Sequence, residues 1–358
     1  MPADAVLNPA SAPLGSGIEQ QRVRNFGLRL AFAVSVGFTG AVAAGAILPF
    51  LVPMLALQFL ATSPRPMSLA QIIGMALMTL VVGQAFVLLV GVFGDRPLVL
   101  LALTGLACFL CFAAQATARG GPAISLILII LVMTLVLGMA QVDLGASIVL
   151  VLVNSMLAGV ILSWMAHALF PDPGGTLSET LKPHRLRRPL HRAAANAFIL
   201  LAVLTLCFTN SNFSTAIVLP LTVVSLLSQA DIATNTKAIG GLLVVNLFGG
   251  IVASFAFTLV SAQPTLAFLF TLLLSVGLIF GGRASDPRRG KVYAGALMIF
   301  MIIFGLGVSP IPTTAPESFA TRIWMLIIAI TITSCGVGLL WRVEEPSRGE
   351  LSNELPLQ

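Results

Sequence analysis

The sequence predicts an all-α integral membrane protein of about 12 transmembrane helices, built as two parallel six-helix repeats. Three observations predict it. Charged residues make up 9% of the 358-residue chain and hydrophobic ones 58%, where a soluble domain has roughly a quarter of its residues charged. Too few polar groups remain to cover a surface facing water. Apolar runs of about 20 residues, the length that crosses a bilayer, recur between polar or Pro/Gly punctuation. Finally, the basic residues fall at alternate loops, as expected when short cytoplasmic loops collect Lys and Arg.

Taken in order, the first half gives spans at about 26–46, 47–62, 69–92, 97–115, 122–141 and 144–168. The second half gives 193–209, 213–229, 237–260, 264–282, 292–309 and 321–341, with spans two and eight short. The first span has an Arg-bearing lead (Arg22, Arg24) and small residues from Ala41 to Ala46, a faint signal-peptide pattern. Hydrophobicity resumes at once with Ile47, so the span is read as a retained anchor. The expected organisation is a disordered cytoplasmic N-terminus (1–21), a first repeat (22–170), a basic cytoplasmic linker (171–192), a second repeat (193–341) and a cytoplasmic tail (342–358).

With both termini inside, only Arg96 and Arg322 lie outside, and the other 17 of the 19 basic residues lie inside. Arg29 is read as snorkelling from the first helix. A miscounted helix would scramble that asymmetry. Trp164 and Trp341 fall at inner helix ends and Trp324 at an outer one, where interfacial tryptophans belong. The net charge of +6 is dispersed between apolar runs, which argues for topological anchoring and against nucleic acid as a partner.

The halves read as copies. Leu48-Pro49 through Gln58 runs parallel to Leu219-Pro220 through Gln229 at an offset of 171. Ile72-Ile73-Gly74 and Gly83 match Ala238-Ile239-Gly240 and Gly249 at an offset of 166, a five-residue loop difference. Two copies with an even number of helices each face the same way.

Ionisable groups at membrane depth are costly and mark functional positions. Asp143, in the tight turn between helices five and six, has two readings. One is an N-cap of helix six; the other is a proton relay, because partial desolvation raises a carboxyl pKa. Amides such as Gln58, Gln84, Asn154, Asn196, Gln229 and Asn246 can bind a polar substrate or bridge helices. Gln58 and Gln229 occupy matching places, and Pro49, Pro53 and Pro220 interrupt the same short helices. Interrupted backbone can line a cavity, so helices two and eight are the expected path. Arg65 and Lys237 sit at its inner mouth, either steering an organic anion or anchoring the loops. Glycines of helix one (Gly37, Gly40, Gly45) and helix nine are read as close-packing positions.

Other chemistries lack their parts. There is no Gly-x-x-x-x-Gly-Lys-Ser/Thr loop. Cys108 and Cys111 have metal-like spacing but no second pair, and all four cysteines lie in apolar runs as small hydrophobes. His167, His184 and His191 are not grouped with carboxylates. Neither an enzyme nor a cofactor or metal protein is expected.

The basic-led first helix (Arg22 to Leu30), the Leu48-Pro49-Phe50-Leu51-Val52-Pro53 run, the Ser63-Pro64-Arg65-Pro66 loop and the second six-helix copy resemble the fusaric acid resistance and aromatic acid exporter superfamily, in its compact bacterial branch. The resemblance covers most of residues 22–341 through diffuse motifs. It implies a proton-driven efflux protein of the bacterial inner membrane that exports small aromatic or other organic anions. The implied partners are a periplasmic adaptor protein and an outer-membrane channel, beside membrane lipids. Better-known members carry a large cytoplasmic domain after the sixth helix, for which Pro171–Arg192 leaves no room. Two other readings stay open: a non-transporting scaffold subunit, and a major-facilitator-type carrier. The loop between helices two and three lacks the Gly and Asp-Arg-x-Gly-Arg pattern of the latter.

Overall fold

A computed structural model describes residues 14–62, 66–116, 121–140, 142–172, 189–209, 218–230, 236–284, 290–309 and 319–341. They form 12 helices and no strand. The first six are α1 (Leu14–Ala43), α2 (Leu51–Thr62), α3 (Leu69–Phe93), α4 (Pro97–Ala116), α5 (Gly121–Ala140) and α6 (Val142–Leu169). The second six are α7 (Pro189–Thr209), α8 (Val218–Ala230), α9 (Thr236–Ala262), α10 (Leu266–Ala284), α11 (Gly290–Val308) and α12 (Phe319–Leu340). Every expected span has its helix. Seven helices are long and apolar enough to cross a bilayer within their described residues alone, and the chain is a multi-pass membrane protein.

Several helix starts differ from expectation, and α2 begins at Leu51 instead of 47, leaving residues 47–50 outside the helix. Helix α1 starts at Leu14 instead of the mid-twenties, because the polar run Ile18-Glu19-Gln20-Gln21 consists of residues that tolerate a helix well and extends it beyond its apolar part. Helix α7 starts at Pro189, where a proline without an N–H is preorganised for the first turn. Residues 189–192 therefore belong to the helix. The remainder of the N-terminal segment (1–13), the linker (173–188) and the tail (342–358) lie outside the described residues.

Many hydroxyls inside the spans bond to their own helix, whereas those of Thr39, Thr134, Thr222, Ser228, Ser254 and Thr333 are buried without a partner among the described residues. Ser35 donates to Ala31 O at 2.8 Å, Thr79 to Met75 O at 2.8 Å and Thr205 to Leu201 O at 2.8 Å, the back-bonding that a hydroxyl four residues on can make. With no water in the hydrocarbon, this removes most of the cost of placing a hydroxyl there. Helix α3 is started by a reciprocal cap, the Ser68 hydroxyl accepting from Gln71 N while the Gln71 side chain accepts from Ser68 N.

The helix pairs in contact follow a pattern. The first six touch the last six most extensively where α1 packs on α10 and where α4 packs on α7. Within the halves, α2 packs on α6 as α8 does on α12, α3 on α5 as α9 on α11, and α3 on α6 as α9 on α12. Near the centre α2 meets α11, and α5 meets α8. Advancing each partner by six positions turns one pair into the other. The pair α5–α6 departs from the pattern, since α11 and α12 make no comparable contact among the described residues.

The α1–α10 crossing is the tightest. A Cβ added at Gly281 would lie 2.7 Å from Gly27 O, and one at Gly277 would lie 2.8 Å from Ala31 Cα. Small residues four apart on both helices let the backbones touch, which is how membrane helices gain packing when burial from water supplies no drive.

Candidate functional site

Helix α2 has 12 residues, about 18 Å at 1.5 Å per residue, against a hydrocarbon core of roughly 30 Å. Residues 44–50 before α2 are not helical. Helix α1 ends in a Schellman motif, with Gly45 N bonded to Val42 O at 3.0 Å and Ala46 N to Ala41 O at 2.9 Å. Gly45 takes φ +70°, a left-handed conformation that glycine adopts without a Cβ penalty. Gly45 thus turns the chain after α1 rather than packing helix one, as the sequence had indicated. The chain then runs back along α1 as an irregular segment to Phe50. Pro53, in the first turn of α2, lies level with Gly37, six residues and so about 9 Å from the end of α1.

The last residues of this irregular segment, Leu48 to Phe50, are buried where the two groups of six helices meet, whereas Gly45 and Ile47 are exposed. Phe50 packs on Gly305 of α11, the Ser309 hydroxyl just beyond α11 donates to Ile47 O, and the Phe38 and Phe304 rings lie 5.2 Å apart. A bare glycine at 305 is what admits Phe50, since a Cβ there would clash with its ring. Non-helical backbone at membrane depth is tolerated only where protein or a water-filled cavity surrounds it.

Beside it runs a groove of about 590 Å³ between α1, the α1–α2 connection and α6. The α1 wall is Gly37, Gly40, Ala41 and Ala44; the α6 wall includes Val151, Asn154, Ser155, Ala158 and Met165. From Val151 to Met165 the groove follows α6 for about 21 Å. Its α6 side is open, since Asn154, Ile161 and Met165 are exposed on the same helix face as the exposed Leu150 and Leu157.

The expected site residues divide between places. Pro49 is buried in the irregular segment, and Gln58 is half-buried on α2. Pro220 is buried in the first turn of α8, where the proline lacks no helical hydrogen bond. Asn246 is fully buried on α9. Gln84 is not with them; it is exposed on the outward side of α3, whose neighbours Leu77, Leu80 and Leu88 are also exposed. The backbone of Asp143 lies in the first turn of α6, one residue after the helix starts. The backbones of Gln229 and Lys237 lie in the last turn of α8 and the first turn of α9. The side chains of Asp143, Gln229 and Lys237, and the whole of Arg65, lie outside the described residues.

At the opposite end of α1 the structure shows contacts that sequence reasoning missed. Arg29 does not snorkel: it is buried and its Nε donates to Phe170 O at 2.7 Å. A guanidinium there satisfies a carbonyl beyond α6 and complements the negative end of that helix. Asn25 donates to Pro171 O at 2.8 Å, and Arg22 pairs with Asp172 at 3.2 Å. In the second half Trp341 donates to Asn196 at 3.0 Å, with the Arg192 guanidinium 3.9 Å over the indole. Asn25 and Asn196 are 171 positions apart, the same offset read between helices two and eight, a signal that could have found them. Trp164 donates to Met67 O at 3.1 Å, tying α6 to the start of α3.

A family described as Protein of unknown function (DUF2955) matches residues 27–166. That stretch runs from α1 to the last turns of α6 and holds every groove-lining residue. No curated protein and no solved structure matches the chain.

Proposed function

We propose that the protein is a secondary transporter of the bacterial inner membrane that exports small organic acids, with both termini cytoplasmic and its route between two six-helix repeats facing the same way. The observation that carries the reading is the broken second crossing, the irregular Gly45–Phe50 segment followed by the short α2, seated against α11 of the other half. Carriers build their sites from discontinuous helices near the midplane, at the interface of repeats. A protein that served only as a scaffold would have no use for interrupted backbone at that depth.

Three further observations support it. Most packing pairs, α5–α6 excepted, have a counterpart when every helix is advanced by six, as expected of two copies. Asn25 and Asn196 each tie the start of a half to its end. Arg24 and Arg283 belong to the same end of the bundle, since Gly27 touches Gly281, and that end is the cytoplasmic one by the positive-inside rule. Coupling to protons is assigned to Asp143, in the first turn of α6. A periplasmic adaptor and an outer-membrane channel complete the pathway by the sequence resemblance.

The test is transport of a radiolabelled aromatic carboxylate in proteoliposomes, with empty liposomes as background. Protein-dependent movement driven by an imposed pH gradient and abolished by a protonophore is expected, with Asp143→Asn reducing the gradient-driven rate at least tenfold. Movement indifferent to the gradient removes the proton coupling. No movement by a folded protein that binds an adaptor tightly replaces the transporter with a scaffold subunit.

A further inference from the structure

The groove between α1 and α6 holds two polar side chains in an otherwise apolar trough. Asn154 is exposed near the middle of the 28-residue α6, and Ser155 beside it is 7% exposed. Both line the groove and neither makes a hydrogen bond among the described residues. The hydroxyls of Thr79 and Ser35 bond to their own helices; those of Thr134 and Thr222 also lack a partner among the described residues but are enclosed by the bundle, whereas Asn154 and Ser155 open onto the groove. An amide and a hydroxyl facing hydrocarbon without partners are costly, and within membranes such groups find partners wherever they can. The carbonyl and NH₂ of Asn154 can accept and donate at once. No lining residue carries a charge, so nothing in the trough compensates the desolvation of an anion.

We propose that this groove binds one small, uncharged, amphipathic solute taken directly from the bilayer, its aromatic or aliphatic body lying along α1 and its hydrogen-bonding head at Asn154 and Ser155. For the organic acids of the transport reading, on which this inference rests, the bound species is the protonated acid, whose O–H and C=O match an amide donor for acceptor. A lipid acyl chain fills the apolar length equally well but leaves the amide and hydroxyl without partners. The volume of about 590 Å³ is within the usual range for a small-molecule pocket, roughly 300–1,000 Å³. The small residues make the room: a Cβ at Gly40 would meet nothing within 4 Å.

The test is equilibrium binding to the full-length protein in nanodiscs, with radiolabelled 2-naphthamide as an uncharged probe and 2-naphthalenesulfonate as its permanently anionic counterpart. Saturable naphthamide binding is expected, with the sulfonate unable to compete. Asn154→Leu, which keeps the bulk and removes the amide, should weaken binding about tenfold. Gly40→Leu, which fills the trough from open space, should abolish it while leaving the thermal melt unchanged. Naphthamide binding that is absent, or unaltered by both variants, overturns the proposal. So does equal competition by the sulfonate, or a co-purifying lipid that naphthamide does not displace. The assay needs no gradient: binding without transport leaves the groove standing and removes the carrier, whereas transport indifferent to Gly40→Leu does the reverse.

Discussion

At the scale of single residues, the polar groups in this bundle hold helix ends together more often than they face a solute. Asn196 is fully buried and receives the Trp341 indole N–H; replacing it with leucine leaves that donor unpartnered, at a cost of about 1–3 kcal/mol. Asn196→Leu is therefore expected to lower the denaturation midpoint in detergent, and Asn25→Leu to do so to a lesser extent, because Pro171 O, the carbonyl that Asn25 caps, belongs to an exposed residue. Equal and negligible shifts would show that neither tie contributes. A single-residue reading assigned Arg29 to the interface because a long cationic side chain usually reaches water. The alternative, a carbonyl 141 positions later at the end of α6, is a tertiary fact that local sequence does not contain. Asn25 is different, because it stands 171 positions before Asn196, a spacing that could have pointed to it.

Among the elements, the helices were legible because about 20 apolar residues between punctuation is a constraint set by the bilayer itself. Even the shortness of α2 and α8 could be read from Pro49 and Pro220, which cannot continue a helix from its interior. What could not be read was which glycines pack. Gly37 does: a Cβ there would lie 2.5 Å from a Leu162 methyl; Gly40 faces open space, and Gly45 ends the helix. The α1–α10 crossing gives a sharp contrast between adjacent positions. Gly281→Ala would push a methyl to 2.7 Å from Gly27 O, a backbone atom that cannot swing aside. Overpacking of that kind typically costs about 1–3 kcal/mol. Gly282→Ala meets nothing within 4 Å and should be neutral or stabilise by up to about 1 kcal/mol through helix propensity. Melting curves of the two variants side by side check this, and a destabilised Gly282→Ala matching Gly281→Ala would contradict the crossing.

For the molecule as a whole, the sequence carried the twelve helices but not how the first six join the last six. Nothing in the order of spans says that α1 should lie on α10 and α4 on α7; the first contact depends on a small-residue face, Gly277 and Gly281, that resembles many others in a glycine-rich membrane protein. With those two interfaces in place, the first six helices are expected to stay in register with the last six without a covalent connection between Asp172 and Pro189. Each half ties its own first helix to its last, through Asn25 and Arg29 in one and Asn196 in the other. Two chains ending at 172 and beginning at 189 should therefore assemble when co-expressed and co-purify through an affinity tag on either one. Adding Gly277→Leu and Gly281→Leu to the second chain attacks one interface, α1 on α10, and leaves α4 on α7 intact. The yield of paired halves should fall at least severalfold, while the same substitutions in the continuous chain cost stability without separating anything. Halves that never associate, or that associate just as well with both leucines present, would mean that the joint between the six-helix groups lies elsewhere.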